Sequence, residues 1–147
     1  MSKSLQIKIK YFGCHNPQPV EKISIGDWID LRAAEDVVIK KGNAYRIRMG
    51  VAMQLPAGYE AHLAARSGTF DKWGIIQTNA PGIIDESYCG DKDEWKFACI
   101  AMRDSVVRNG DRICHFRIVQ KMPDVEFVAV QSLGNRDRGG FGSTGHN

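Results

Sequence analysis

The sequence predicts an all-β fold, and two observations carry this prediction. Apolar and polar residues alternate with a period of two along several short runs, as in strands that bury one face. Turn-forming residues separate these runs at intervals of roughly 8–12 residues, a spacing typical of a β-sandwich or β-barrel. The chain has 147 residues, which suits one domain. We therefore expect a β-domain over residues 1–134 and a C-terminal arm over residues 135–147.

Each predicted element follows from its local pattern. The run 5–12 alternates apolar residues with lysine, and 36–42 is a β-branched run that ends at a glycine turn. Residues 44–55 alternate until Pro56 stops the run. The same reasoning predicts strands at 59–66, 73–79, 94–103, 111–120 and 125–131. One short helix is expected at 67–73, with Ser67 as its N-cap.

Composition and charge limit the classes of function. Hydrophobic residues make up 43% of the chain and charged residues 25%, which is ordinary for a globular protein. The formal net charge of +3 is too small to indicate duplex-DNA binding, but it suits a small anionic ligand. The sequence contains no long apolar run and no signal-peptide core. We expect a cytoplasmic protein that binds neither membranes nor nucleic acid.

The cysteines predict unpaired thiols rather than a metal site. Cys14, Cys89, Cys99 and Cys114 contain no CxxC pair, which argues against a zinc ribbon. A cytosolic setting would keep such irregularly spaced thiols reduced.

Asp85 is a candidate general base. It follows two isoleucines in the segment NAPGIIDESYCGD, residues 79–91, where a carboxylate is unusual unless it is paired or functional. The alternative is a turn aspartate that accepts hydrogen bonds from its own backbone.

Two further segments suit phosphate and metal. Arg66, Ser67 and Gly68 lie at a predicted strand-to-helix junction, where backbone N–H groups and a guanidinium would bind an anion. The alternative is simple N-capping by Ser67 beside a surface arginine. Asp27 and Asp30 offer carboxylates of the kind that Mg²⁺ prefers, unless both face solvent from an edge strand.

The arm NRDRGGFGSTGHN, residues 135–147, cannot form a core of its own. It is either a frayed tail or a flap that becomes ordered over a ligand. Its GFGSTG stretch lacks the lysine of a P-loop, and a single RGG unit is weak support for nucleic-acid binding.

Taken in order, five motifs resemble those of the homotrimeric dUTPase (deoxyuridine triphosphate nucleotidohydrolase) family, from about residue 25 to residue 145. They are DLRA at 30–33, RSG at 66–68, NAPGIIDESYCG at 79–90, GDRI at 110–113 and GGFGSTG at 139–145. The third and fifth are the most specific of the five.

This resemblance implies a β jelly roll that assembles as a homotrimer, with active sites at the subunit interfaces. The implied reaction is the Mg²⁺-dependent hydrolysis of dUTP to dUMP and pyrophosphate, with the metal held mainly by the triphosphate. Such an enzyme removes dUTP from the nucleotide pool and supplies dUMP. A regulatory protein partner is also implied if the chain derives from a phage, since phage members of the family bind repressor proteins.

The resemblance also implies a role for each motif residue. Asp85 would deprotonate the attacking water, Tyr88 would pack under the deoxyribose, and Asp30 would reach Mg²⁺ through water. Uracil would be read by Asn79 and by the backbone of Gly82, Ile83 and Ile84. The phosphates would be held by Arg66, Ser67, Gly68 and His115. The arm would contribute Arg136, Arg138, Phe141, Gly142, Ser143 and Thr144, with Phe141 over the uracil and either arginine at the γ-phosphate.

The chain departs from the family pattern at several positions. Trp28 stands where a glycine is usual, Ala65 where a proline is usual, and His115 where a glutamine is usual. The stretch after the third motif is longer than usual, so Trp95 competes with Phe141 as the cover of the base. Two rival functions remain: dCTP deaminase, which shares the fold, and a regulatory binding protein.

Overall fold

The computed structural model describes residues 4–13 and 19–142, and these are mostly β-structure, as predicted. The described residues form eleven strands and one short helix. In chain order these are β1 (Lys8–Tyr11), β2 (Ile29–Arg32), β3 (Val37–Ile39), β4 (Ala44–Arg48), β5 (Val51–Gln54), β6 (Tyr59–Ala65), α1 (Thr69–Trp73), β7 (Ile75–Gln77), β8 (Gly82–Ile84), β9 (Lys96–Ala101), β10 (Ser105–Val107) and β11 (Arg112–Gln120).

The strands pair in four antiparallel sheets. The largest has four strands in the order β2-β11-β6-β8, and a second has three in the order β4-β9-β7. Two pairs, β1 with β5 and β3 with β10, complete the arrangement. In the largest sheet β6 lies between β11 and β8, so both of its edges are paired.

One apolar core joins all four sheets. Its most deeply buried side chains come from seven strands and the segment before β9, and they are Leu31, Ile39, Ile47, Ile75, Trp95, Phe97, Val107, Ile113 and Phe116. The ring of Trp95 packs edge-on against Phe116, with centroids 5.2 Å apart and planes at 83°. Cys99 and Cys114 lie in the same core, and burial raises the pKa of Cys99 to about 11. These two thiols and the exposed Cys89 are unpaired, as predicted, whereas Cys14 lies outside the described residues.

Several predicted boundaries are wrong. The run 44–55 is not one strand but two, because the chain breaks between β4 and β5 at Gly50, whose φ is +70°. Strands β2, β8 and β10 were not predicted, since runs of three or four residues are too short to show a period.

The helix is shorter than predicted, and Ser67 does not cap it. Its N-cap is Gly68, and no side chain caps the first turn. Thr69 organises the junction instead: its hydroxyl donates to the carbonyl of Ile113 at 2.8 Å and accepts from the backbone N–H of Arg66 at 2.9 Å. Among the described residues no helix is long and apolar enough to cross a membrane.

The predicted strand at 125–131 is absent. Residues 121–142 form neither strand nor helix, and every one of them is exposed. Phe127 is 94% exposed and Leu133 is 83% exposed. The alternation of this segment is that of a strand, but none of the strands in residues 4–13 and 19–142 pairs with it.

Candidate active site

A cavity of about 550 Å³ lies beside β8 and collects most residues of the third motif. Its walls include Asn79, Gly82, Ile83, Ile84, Asp85, Ser87 and Tyr88. Leu63, Glu94, Trp95 and Ala98 also line it. The structure therefore brings the predicted base-reading residues, the predicted base and the predicted sugar-packing tyrosine to one concave surface. A cavity of this size suits a small molecule.

The floor of the cavity is set by close packing around Gly82. This residue pairs with Leu63 of β6. A Cβ added at Gly82 would lie 3.4 Å from Nε2 of Gln77 and 3.5 Å from Nδ2 of Asn79. The buried amide of Gln77 donates to the carbonyl of Leu63 at 2.8 Å and accepts from the N–H of Ala65 at 3.0 Å. The glycine thus lets two amide side chains approach the strand backbone.

Asp85 leaves the end of β8 with its carboxylate half exposed. The backbone N–H of Ser87 donates to Oδ2 at 3.1 Å, and the Ser87 hydroxyl donates a short hydrogen bond to the same oxygen. These hydrogen bonds, followed by the charge of Lys121, hold the pKa of Asp85 below its ordinary value. The carboxylate is therefore ionised at neutral pH, as a general base must be.

Tyr88 is held in place at both ends. Its backbone N–H donates to the carbonyl of Asp85 at 3.0 Å, and its hydroxyl donates to the carbonyl of Glu94 at 3.0 Å. Burial raises the pKa of the phenol, so it remains a neutral donor. Tyr88 is 41% exposed as a residue, and its ring offers a flat apolar wall.

A second cluster of predicted residues surrounds Asp30 on β2. Its Oδ1 lies 3.0 Å from Nε of Arg66, and its Oδ2 lies 3.6 Å from Nη1 of Arg112. Arg66 also donates to the carbonyl of Arg112 at 3.2 Å. Ser67 and Gly68 follow Arg66 as an exposed turn, so their backbone groups are accessible. Two guanidinium groups around one carboxylate leave a net positive surface for an anion.

His115 belongs to this second cluster. It pairs across the sheet with Asp30 on one side and Ala64 on the other. The ring of Trp28 lies over it, with centroids 4.7 Å apart. Burial holds the pKa of His115 below its ordinary value. Two of the departures from the family pattern, Trp28 and His115, are therefore in contact with each other.

The two clusters lie at opposite ends of β6. Ile84 pairs with Ala61 near the start of β6, so Asp85 follows at the level of Glu60, whereas Arg66 follows the strand's last residue. At roughly 3.3 Å per residue these two positions are about 20 Å apart along the strand. Side chains so far apart in one chain do not meet at one phosphate group.

Among the described residues, no hydrogen bond or ion pair joins the arm to either cluster. Arg136, Arg138, Phe141 and Gly142 are exposed, and neither arginine forms an ion pair among the described residues. Ser143 and Thr144 lie outside the described residues. Trp95 lines the cavity, but it is only 1% exposed and belongs to the core. It is therefore no candidate for a side chain that closes over the base.

The sequence reasoning missed several residues that shape the cavity. Ser87, Lys121 and Glu86 surround Asp85, and Gln77 braces Gly82. Glu94 is nearly buried, where its carboxylate accepts from Nε of Arg48 at 3.0 Å and from the N–H of Gly50 at 2.9 Å. One signal in the sequence could have identified Gln77: it is a polar residue at a position where the strand pattern calls for a buried apolar one.

Comparison with known proteins gives consistent results. The model of the dUTPase family matches residues 24–145. The chain is 56% identical to the SPbeta prophage-derived deoxyuridine 5'-triphosphate nucleotidohydrolase YosS of Bacillus subtilis (strain 168), over 96% of this chain and 99% of that protein.

Solved structures share the fold at lower identity. A dUTPase mutant of phage 80alpha aligns with a TM-score of 0.75 at 21% identity, covering 94% of this chain and 98% of that one. That phage dUTPase combines enzymatic activity with a SaPI-inducing capacity. A dUTPase mutant from phage phi11 of S. aureus, which coordinates a structural Mg(II) ion, aligns with a TM-score of 0.71 at 18% identity, covering 87% and 98%.

Proposed function

Because the chain belongs to the dUTPase family, we propose that it hydrolyses dUTP to dUMP and pyrophosphate. The observation that carries the proposal is the cavity beside β8, with an ionised Asp85 and a half-exposed Tyr88 on one wall. Phosphoryl substitution needs positioned charge and an oriented nucleophile more than covalent help from the protein. A single carboxylate base is therefore sufficient.

In the proposed reaction Asp85 accepts a proton from water as the water oxygen bonds to the α-phosphorus. The bond from that phosphorus to the bridging oxygen breaks, and pyrophosphate leaves with both electrons. Asp85 then returns the proton to solvent. The two hydrogen bonds from Ser87 keep the carboxylate from rotating while it does so.

The cavity supplies the nucleoside selectivity. Asn79 and the backbone of β8 read the edge of the uracil, and the close approach of that backbone to the base excludes the 5-methyl group of thymine. The deoxyribose packs on Tyr88, whose hydroxyl is tied to Glu94, so the ring cannot move aside for a ribose 2′-hydroxyl. This arrangement selects dUTP over dTTP and UTP.

The active site is shared between copies of the chain. Since Asp85 and Arg66 lie about 20 Å apart in one chain, the phosphate-binding cluster at each cavity comes from a second copy. A homotrimer with one site at each interface satisfies this requirement by symmetry. The exposed, alternating segment 125–131 supports it, because it needs a strand of another copy as its partner.

The proposed phosphate contacts come from the second cluster and from the arm. Arg66, the exposed turn of Ser67 and Gly68, and the N–H of His115 provide donors on the protein surface. The arm closes over the nucleotide with Phe141 on the uracil and Arg136 or Arg138 at the γ-phosphate. Gly142, Ser143 and Thr144 add further contacts. Closure excludes bulk water from the reacting phosphate.

Mg²⁺ fits this site as a companion of the substrate rather than as a resident ion. Among the described residues no three His, Cys, Asp or Glu side chains cluster, so no protein cage is available. Asp30 is already paired with Arg66 and Arg112, which suits contact through a water molecule. Mg²⁺ commonly binds phosphate oxygens and waters with few carboxylates. When bound it neutralises charge on the triphosphate.

Pyrophosphate release tests the proposed function. The full chain is assayed with dUTP, dTTP, dCTP and UTP, first with Mg²⁺ and then with EDTA. We expect Mg²⁺-dependent release from dUTP, with the other nucleotides at least about a hundredfold poorer in kcat/KM. Comparable turnover of dTTP or UTP, or none of dUTP, would contradict the proposal.

A regulatory role is a second candidate, favoured by the similarity to a prophage-derived relative and to the phage 80alpha protein. Under this proposal the nucleotide-bound form binds a repressor-type protein. Capture by the Asp85→Asn variant, with and without a dUTP analogue, separates this binding from catalysis. Capture that is insensitive to the analogue would exclude control by the nucleotide.

A further inference from the structure

Three segments of the chain meet beside the carboxylate of Asp85. Lys121, the first residue after β11, places Nζ 3.7 Å from Oδ1 of Asp85 and 2.9 Å from Oε1 of Glu86. Oε2 of Glu86 accepts from the backbone N–H of Gly58 at 2.8 Å. The backbone N–H of Lys121 in turn donates to the carbonyl of Gly58 at 2.9 Å. Lys121, Glu86 and Gly58 thus close a ring, which we call the Lys121 clasp.

We propose that Lys121 is a positioning residue for Asp85, which it holds with Oδ1 directed to the attacking water. The proposal rests on the function proposed above, since it concerns the same base. Ser87 occupies Oδ2 with two hydrogen bonds, so Oδ1 is the oxygen left for water. At 3.7 Å the ammonium is an ion-pair partner rather than a hydrogen-bond donor, so lone pairs of Oδ1 remain available.

The clasp gives the lysine a defined position. A lone exposed lysine samples many rotamers and contributes little to an ion pair. Here Glu86 binds the ammonium, and two hydrogen bonds to Gly58 hold Glu86 and the backbone of Lys121. The hydrogen bond to Glu86 raises the pKa of Lys121, so the ammonium keeps its charge.

The ammonium of Lys121 opposes the effect that a negatively charged substrate would have on the pKa of Asp85. A bound triphosphate brings negative charge towards Asp85, and like charges raise the pKa of a carboxyl group. After the hydrogen bonds from Ser87, Lys121 is a further cause that lowers the pKa of Asp85, whereas Glu86 faces it as a second anion. Arg46, Glu94 and Lys96 are the other charged residues that line the cavity.

The test compares three variants of the full chain. Lys121→Met removes the charge, Lys121→Arg keeps it, and Lys41→Met is the matched control at an exposed turn after β3. Both kcat and KM for dUTP are measured between about pH 4 and pH 8, because the pKa of Asp85 lies below its ordinary value and the acid limb of kcat reports the base in the substrate complex. The Asp85 carboxyl carbon is titrated by ¹³C NMR in parallel, which requires no turnover.

We expect kcat of Lys121→Met to fall about tenfold near pH 4.5 and about threefold near pH 7.5, with KM changed less than about twofold. Since the ammonium lowers the pKa of Asp85, its removal moves both the acid limb and the NMR titration to higher pH. Lys121→Arg should restore kcat to within about twofold, and Lys41→Met should match the unmodified chain.

Equal kinetics and an unmoved Asp85 titration in Lys121→Met would overturn the inference. So would an equal loss of kcat at every pH that arginine does not restore, since that pattern indicates a structural role. If the unmodified chain fails to hydrolyse dUTP, the proposed function fails instead. The NMR titration then still reports whether Lys121 acts on Asp85.

Discussion

The two ends of β6 carry different kinds of site. Near its start, Asp85, Tyr88 and Gly82 line a concave, partly apolar cavity whose side chains are held by hydrogen bonds within the same chain. Beyond its end, Arg66 and Asp30 form a charged cluster beside a smaller cavity of about 180 Å³, which Asp30 and Arg112 line. The first suits a base and a sugar, and the second suits phosphate. Since dUTP contains both chemistries in one small molecule, this difference supports the proposal that one chain holds halves of two different sites.

The largest effect is expected at Asp85, the proposed general base of the cavity. Asp85→Asn preserves the size of the side chain but removes its basicity, so we expect kcat to fall by about 10²–10⁴ with KM within a few-fold. Steady-state pyrophosphate release measures both constants. A loss below about tenfold would show that the cavity does not supply the base.

Removing the C-terminal arm tests whether the cavity and the phosphate-binding cluster support hydrolysis when nothing closes over the nucleotide. Truncation after Gly134 should lower kcat/KM by roughly 10–100-fold, because closure excludes water and holds the phosphates. The thermal unfolding midpoint should stay unchanged, since every described residue of the arm is exposed. Kinetics and calorimetry on the same preparation check both expectations. Unchanged kinetics would leave the arm as a frayed tail.

The junction that carries Arg66, in the proposed phosphate-binding cluster, depends on the buried hydroxyl of Thr69. Thr69→Val removes hydrogen bonds to the carbonyl of Ile113 and from the N–H of Arg66, and Thr69 is only 1% exposed. We expect the free energy of unfolding to fall by about 1–3 kcal/mol. Urea unfolding at matched protein concentration measures it, with the exposed Thr78→Val as the control. Equal midpoints for the two variants would contradict this account of the junction.

The smallest effect is expected at His115. Burial holds its pKa below the ordinary value, so the imidazole is neutral near pH 7.5 and offers one N–H, as a glutamine amide does. His115→Gln should therefore keep kcat/KM within about threefold at that pH. A loss above about thirtyfold would show that the imidazole does more than donate a hydrogen bond.

How well a strand could be predicted from the sequence depended on the length of its run of alternating apolar and polar residues. Strands β6, β9 and β11 have six to nine residues with clear alternation, and they were predicted correctly. The three residues of β8 hold the centre of the site but are too few to show a period. The alternation at 125–131 predicted a strand, but a strand needs a partner, and the described part of the chain supplies none.

Side-chain contacts were predictable only where a motif names them. Resemblance to the dUTPase family implies one site for Asp85, Tyr88 and Asn79, and these residues line one cavity in the structure. The Lys121 clasp has no local signature, because Lys121 and Glu86 are 35 residues apart in the chain. From the sequence alone, a lysine at the start of an exposed segment cannot be distinguished from an ordinary surface lysine.

Complementation between two inactive variants tests the shared site most directly. Asp85→Asn damages the cavity half, and Arg66→Ala damages the phosphate half. The two variants are co-expressed with different tags, and mixed oligomers are purified. If each site combines halves from two copies, one of the three sites in a mixed trimer carries both intact halves, so about a third of the activity should return. Mixed oligomers no more active than either variant alone would contradict the account, because the two halves would then have to work within one chain.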